Sequence, residues 1–210
     1  MTYAVKEAFV TLQGEGVQAG SRAVFLRFAG CNLWSGREAD RATAQCNFCD
    51  TDFVGTDGVG GGKFAAADEL ADHVEALWGE ARYRRLVVVT GGEPMLQLDA
   101  ALIDALHARD FRIAVESNGT MAATPGIDWL CISPKAGTDV VQRSGDELKL
   151  VWPQDGIDPA ALESWDFEHF LVQPMDCAAS EAAIEAAIAL SMERPRWRLS
   201  LQAHKVVGLR

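Results

Sequence analysis

The stretch Leu86-Val87-Val88-Val89-Thr90-Gly91-Gly92-Glu93-Pro94 passes directly from an apolar run into two glycines, an acid and a proline. Four consecutive apolar residues, three of them valine, read as a strand buried on both faces, as in parallel sheets. The glycines let the backbone turn tightly or approach a ligand, and Pro94 suits the start of a helix. A buried strand that opens into a helix is half of a βαβ unit, so the flanking sequence decides whether the unit repeats.

It does repeat. Upstream, 66–78 (AADELADHVEALW) has helical spacing with Leu70, Val74 and Leu77 on one face, and 24–28 (VFLRF) reads as the strand before it. Downstream, 95–109 predicts a second helix with Leu98, Leu102, Ile103 and Leu106 as its stripe. Strands are expected at 111–115, 129–132, 147–151, 169–173 and 197–202, with a third, alanine-rich helix at 179–192. Such alternation predicts an α/β fold with a mainly parallel sheet. A complete eight-fold barrel takes about 250 residues, and 129–132 and 147–151 have no long helix between them. The expected architecture is therefore a partial TIM-like barrel, modified and truncated, with about six core strands and three long helices. One domain is expected over 1–210, with an extra strand or flap at 1–20 and a loop insertion at 31–63.

Composition narrows the classes. The 210 residues are 49% hydrophobic and 23% charged, ordinary values for a globular chain, and 22.7 kDa is most simply one domain. A net charge of −11 argues against nucleic acid or an anionic membrane as partner, since both require basic surface. No apolar run approaches the roughly 18 residues that span a bilayer, and MTYAVKEAFV lacks the features of a secretory signal. A cytoplasmic location is the expectation. There, five cysteines are ligands, catalysts or buried thiols more often than disulfides.

Polar groups gather at the predicted strand ends. Arg27 and Cys31 follow the first main strand, Thr90-Gly91-Gly92-Glu93-Pro94 the second and Glu116-Ser117-Asn118-Gly119 the third. Ser133-Pro134-Lys135, Gln173-Pro174, and Gln202, His204 and Lys205 follow later ones. The C-terminal strand ends are the site-bearing face of parallel α/β sheets, so these groups are expected to share one mouth. At its edge stand Cys31, Cys46 and Cys49, spaced C-x14-C-x2-C. Three thiolates can hold an iron–sulfur cluster and leave one iron open, or can contribute to a structural zinc site, which wants four ligands. No histidine lies between Cys49 and His73, Cys131 lies in a predicted strand, and Cys177 is distant. Spacing alone leaves a cluster, zinc and unrelated buried thiols all standing. Two glycine motifs are excluded: Gly58–Phe64 has Asp57 and Phe64 where a phosphate loop needs Gly and Ser/Thr, and Gly14-Glu15-Gly16 precedes a strand, not a helix.

With the cysteines, Gly91-Gly92-Glu93 resembles the GGE motif of the radical S-adenosylmethionine superfamily, whose usual cysteine spacing, C-x3-C-x2-C, is eleven residues shorter. The longer spacing, followed by Asp50-Thr51, is similar to one bacterial subgroup of the 7-carboxy-7-deazaguanine synthase family. Leu12-Gln13-Gly14-Glu15-Gly16, Arg27, Glu116–Gly119, Ser133–Lys135, Leu148-Lys149, Gln173-Pro174 and His204-Lys205 extend the resemblance along the chain.

The resemblance implies a radical SAM barrel with a [4Fe–4S] cluster on Cys31, Cys46 and Cys49, whose open iron binds S-adenosylmethionine. It implies cofactor contacts from Phe48, Asp50, Gly92, Glu93, Ser133, Pro134, Lys135 and Gln173, and Mg²⁺ at Thr51. Substrate contacts are implied at Leu12, Gln13, Gly14, Glu15, Arg27, Thr90, His204 and Arg210. No protein side chain is implied as the catalytic group, because the radical comes from the cofactor. The implied reaction is ring contraction of 6-carboxy-5,6,7,8-tetrahydropterin to 7-carboxy-7-deazaguanine with loss of ammonia, on the route to queuosine. A reductant such as a flavodoxin or ferredoxin and a homodimer are implied as well. The rival readings are a radical activating enzyme acting on a protein, which the long spacer disfavours, and a zinc-stabilised binding module. Cys131 and Cys177 are expected to be buried thiols without a role.

Overall fold

The structure, a computed structural model, describes residues 2–177 and 180–209. Among the described residues nine strands form one sheet: β1 (Tyr3–Leu12), β2 (Arg22–Phe28), β3 (Gly62–Phe64), β4 (Leu86–Gly91), β5 (Arg112–Ser117), β6 (Trp129–Ile132), β7 (Ser144–Trp152), β8 (Asp166–Pro174) and β9 (Trp197–Leu199). Their order is β3-β1-β2-β4-β5-β6-β7-β8-β9, so β3 and β9 are edges and the barrel is open. The seven strands from β2 to β9 are parallel, while β1 and β3 run antiparallel at one edge. The strand expected at 197–202 is the three-residue β9, which stops at Leu199.

Helices α1 (Ala67–Trp78), α2 (Ala100–His107) and α4 (Ser180–Glu193) are the long ones, and α3 (Pro159–Leu162) and α5 (Ala203–Val206) are single turns. The helix expected over 95–109 is divided. Pro94–Leu96 forms a short 3-10 turn, and α2 begins anew because Asp99 caps it, its carboxylate accepting from Leu102 N at 3.0 Å. No helix among the described residues is long and apolar enough to cross a membrane.

Strand alternation separates two environments. Outward residues such as Val87 and Val89 of β4, Ile113 and Val115 of β5, and Leu148 and Leu150 of β7 share the main core with Leu70 and Val74 of α1, Leu102 and Leu106 of α2, and Ala187 and Leu190 of α4. Each such side chain contributes about 1.5–3 kcal/mol by leaving water, which is why the helical faces bind this side of the sheet. The inward face changes along its length. Near the strand starts, Ala23, Leu86, Val88 and Ala114 form a small apolar cluster, with Phe25 and Trp129 packed on it. Nearer the strand ends the inward positions are Arg27 opposite Thr90, Glu116 opposite Cys131, and Val151 opposite Gln173. A bulge between Val5 and Glu7 shifts the phase of β1, so Glu7 pairs with Arg27 and Phe9 stacks on Phe25 at 6.0 Å. Apolar strand starts and polar strand ends make a cup.

Candidate active site

A cavity of about 500 Å³ opens at the strand ends, within the size range of small-molecule sites. Cys46, Phe48, Cys49, Asp50 and Thr51 line one side, and Thr90, Gly92, Ser133, Lys135 and Gln173 line another. Leu12, Gln13, Glu15, Arg27 and His204 also face it. Cys31, Gly14, Glu93 and Pro134 stand behind this lining, and Arg210 lies outside the described residues.

The motif after β4 divides its labour. A Cβ at Gly92 would sit 2.4 Å from Gly30 O and 2.5 Å from Cys31 Cβ, so the glycine is what lets this turn meet the cysteine loop. Glu93 points the other way. Its carboxylate is fully buried and accepts from Met95 N at 3.0 Å, Ser117 Oγ at 2.8 Å and Asn118 N at 2.8 Å. Burial pushes this carboxyl upward despite those donors. Glu93 therefore braces the turn to the end of β5. Pro134 is likewise a backing residue, its carbonyl accepting from Gln154 Nε2 at 3.4 Å.

The thiols are placed by loop backbone. Gly30 N donates to Phe53 O at 3.1 Å, and Leu33 N donates to Cys31 Sγ at 3.4 Å. The Cys46 thiol donates to Cys49, which lowers Cys49 to about 6 and raises its partner. Desolvation raises Cys31. A thiolate at Cys49 is the form that binds iron. Lys135, half-buried, donates to Ser133 O and Oγ, both at 2.7 Å, and lies 5.9 Å from the Phe48 ring centre. Desolvation draws its ammonium downward. Cys131 is buried as expected, but Cys177 is exposed, because it follows β8 in the loop leading to α4.

The cavity floor is a loop, not a strand. Residues 13–17 cross from β1 beneath the barrel: Gly16 N donates to Ser200 Oγ at 3.0 Å and Val17 N to Glu147 Oε2 at 3.0 Å. Lys149 projects upward from β7 and binds Glu15 at 2.5 Å and Glu116 at 3.1 Å, while Gln13 Nε2 donates to Glu116 at 2.9 Å. Burial opposes the Lys149 charge, but Glu116 and Glu15 outweigh it and hold the ammonium well above its usual range. Burial likewise opposes ionisation of Glu15, and Lys149 reverses that effect. On β2, Arg27 Nε donates to Glu7 at 2.9 Å. Gly14 has no room for a side chain because His204 Nδ1 would lie 2.1 Å from its Cβ.

Glu116, Asn118, Gln202 and Lys205, expected at the shared mouth without an assigned contact, line the cavity, as does Lys149; Lys6 lines it too and was not anticipated. Lys149 carried a readable signal, since Glu147 and Lys149 share one face of a strand whose alternate positions are Leu148 and Leu150. The strand-end position of Asn118 was readable, but its bond to Asn32 Oδ1, 3.0 Å long, was not, because it joins segments 86 residues apart.

The donor chemistry fits an iron–sulfur cluster: Cys46 and Cys49 face the cavity, Cys31 packs behind Gly92 within electrostatic reach of both, and cysteine sulfurs are the donors such clusters use. Comparisons with known proteins agree. The family described as the Radical SAM superfamily matches residues 40–147. A 7-carboxy-7-deazaguanine synthase from Caulobacter vibrioides is 62% identical over 209 residues, and one from Bordetella pertussis 59% over 209, each match covering 100% of both chains. The crystal structure of QueE from Escherichia coli superposes with a TM-score of 0.70 at 26% identity, covering 97% of this chain and 95% of that one.

An open parallel barrel whose strand ends meet a three-cysteine loop and a GGE turn defines a radical S-adenosylmethionine enzyme, dependent on a [4Fe–4S] cluster and S-adenosylmethionine. Full-length identity places it further: the chain belongs to the 7-carboxy-7-deazaguanine synthase family.

Proposed function

We propose that this chain contracts the ring of 6-carboxy-5,6,7,8-tetrahydropterin to give 7-carboxy-7-deazaguanine and ammonia, a step toward deazapurines such as queuosine. Substrate and product differ by one ammonia, so no net oxidant is required. The observation that carries the reading is convergence: the cysteine loop, the Gly92 turn, Arg27 and the charged floor all border one cavity.

When bound, the cluster and S-adenosylmethionine would supply the radical chemistry needed to activate the C–H bond at substrate C6. The chain positions and shields. Cys31, Cys46 and Cys49 hold the cluster, while the Gly92 backbone, Ser133, Lys135, Gln173, Phe48 and Asp50 hold the cofactor. Arg27 binds the substrate carboxylate through its guanidinium fork, with Glu7 fixing its orientation. Gln13, Glu15, Thr90, His204 and the backbone at 12–14 surround the pterin edge. The terminal Arg210 is a further substrate contact in this reading. Thr51 would offer one hydroxyl oxygen to a bound Mg²⁺, a cation that favours oxygen ligands. Asp50 lies beside it, with Thr51 Oγ1 donating to Asp50 Oδ1 at 3.4 Å. A flavodoxin or ferredoxin supplies the electron, and the enzyme works as a single-domain homodimer in the cytoplasm.

The test is anaerobic reconstitution followed by incubation with reductant, S-adenosylmethionine, Mg²⁺ and the carboxytetrahydropterin. The expected outcome is the deazaguanine with one equivalent of ammonia. An intact cluster that yields no such product overturns the assignment.

A further inference from the structure

The segment after β9 lies across the cavity with little burial to hold it. None of residues 201–209 is buried, and Val206 and Val207 are 82% and 65% exposed. Its attachments are polar and reach three different walls. Ala203 N donates to Gly14 O at 2.9 Å, and Gln202 Nε2 donates to Glu15 at 2.8 Å and Asp50 at 3.3 Å. Lys205 Nζ lies 2.8 Å from Asp50 Oδ2 and 2.5 Å from Asp176 Oδ2. Asp50 directly follows Cys49, whereas Asp176 lies just past the end of β8.

We propose that Lys205 is a positioning residue: by bridging Asp50 and Asp176 it latches residues 202–209 across the cavity and fixes the Cys49 end of the cysteine loop against the β8 side. The same segment carries His204 against Gly14. One ammonium thus sets the cofactor side and the substrate side of the cavity in register. Without it, two carboxylates that now share one nitrogen face each other as like charges. The three side chains are 40–47% exposed, so the latch is screened by salt and can open and reclose.

Only the kinetic arm of the test rests on the proposed function. The main arm is amide hydrogen exchange of the cluster-reconstituted protein without substrate, comparing wild type with Lys205→Met, Lys205→Arg and Asp176→Asn. Lys205→Met is expected to speed exchange roughly two- to fivefold in both 46–52 and 202–209. Lys205→Arg should stay near wild type. Asp176→Asn should act in the same direction as Lys205→Met, and the double variant should be no faster than Lys205→Met alone. In turnover, Lys205→Met should raise KM for the pterin more than it lowers kcat.

Unchanged exchange in 46–52, whether or not 202–209 loosens, overturns the latch. If Lys205→Met does not fold, Asp176→Asn decides between the same two outcomes, because it retains the Lys205–Asp50 contact. Loss of the ring-contraction assignment would leave the exchange result standing, so the two failures are distinguishable.

Discussion

Adjacent residues in the GGE turn have opposite tasks. Gly92 is needed for its missing side chain, and Glu93 for a buried carboxylate that ties the turn to Ser117 and Asn118. Gly92→Ala should therefore prevent cluster assembly in otherwise folded protein, since the new methyl would overlap Gly30 and Cys31. Iron content and cluster absorbance check this; full cluster loading would show that the loop can yield. Thr51→Ala should weaken the dependence of turnover on Mg²⁺ and leave the cluster intact, and an unaltered metal titration would remove Thr51 from that role. At this scale the sequence disclosed which residues gather but not which way each faces. The direction of Glu93 depends on Ser117 and Asn118, donors more than twenty positions away.

The elements were legible where side-chain pattern makes them and illegible where backbone does. Valine runs and helical stripes marked β4, α1 and the outward faces because burial of those side chains drives them. The cysteine loop, by contrast, is sewn to β1 by main-chain bonds: Gly58 N to Lys6 O at 2.9 Å and Ala8 N to Val59 O at 2.8 Å. A Cβ at Gly61 would lie 2.2 Å from Lys6 O, which gives that glycine run a packing purpose in place of phosphate binding. Lys6 Nζ adds bonds to Val54 O and Asp57, both at 2.8 Å. The loop that follows β2 runs into β3 at Gly62–Phe64, which pairs with Tyr3–Val5 of β1. Since the loop is held independently of the cluster, Cys46→Ala should abolish cluster binding without unfolding the chain. Cys177→Ala should bind the cluster as wild type does. Equal loss in both variants, read by iron and sulfide content, would show the ligand choice to be wrong.

Across the whole molecule, the alternation of strands and helices was enough to expect an open α/β barrel, because the main core follows local periodicity. The charged floor was not foreseeable: Glu15 and Lys149 meet across 134 positions. That pair has a pH signature. Glu15 is held below 4.5, so its contribution to stability is present above that value and lost as pH falls through the lower folded pKa. Lys149 is held above 10.5, so its contribution is present below that value and lost as pH rises through the higher folded pKa. Lys149→Met leaves two carboxylates without their cation and should cost about 3–5 kcal/mol near neutrality. In thermal melts the gap to wild type should hold between pH 4.5 and 10.5 and close in acid as the carboxylates protonate. A gap that persists undiminished in strong acid would show that the ion pair is not its source.

The unclosed sheet gives the floor loop a further importance. In a closed barrel, strand number and stagger fix the calibre of the interior. Here β3 and β9 are free edges, and residues 13–17 span from β1 to Glu147 and Ser200. The aperture offered to a guest molecule is thus gauged by five loop residues, and a family built on this plan can resize its bore by editing a turn while leaving every strand in place.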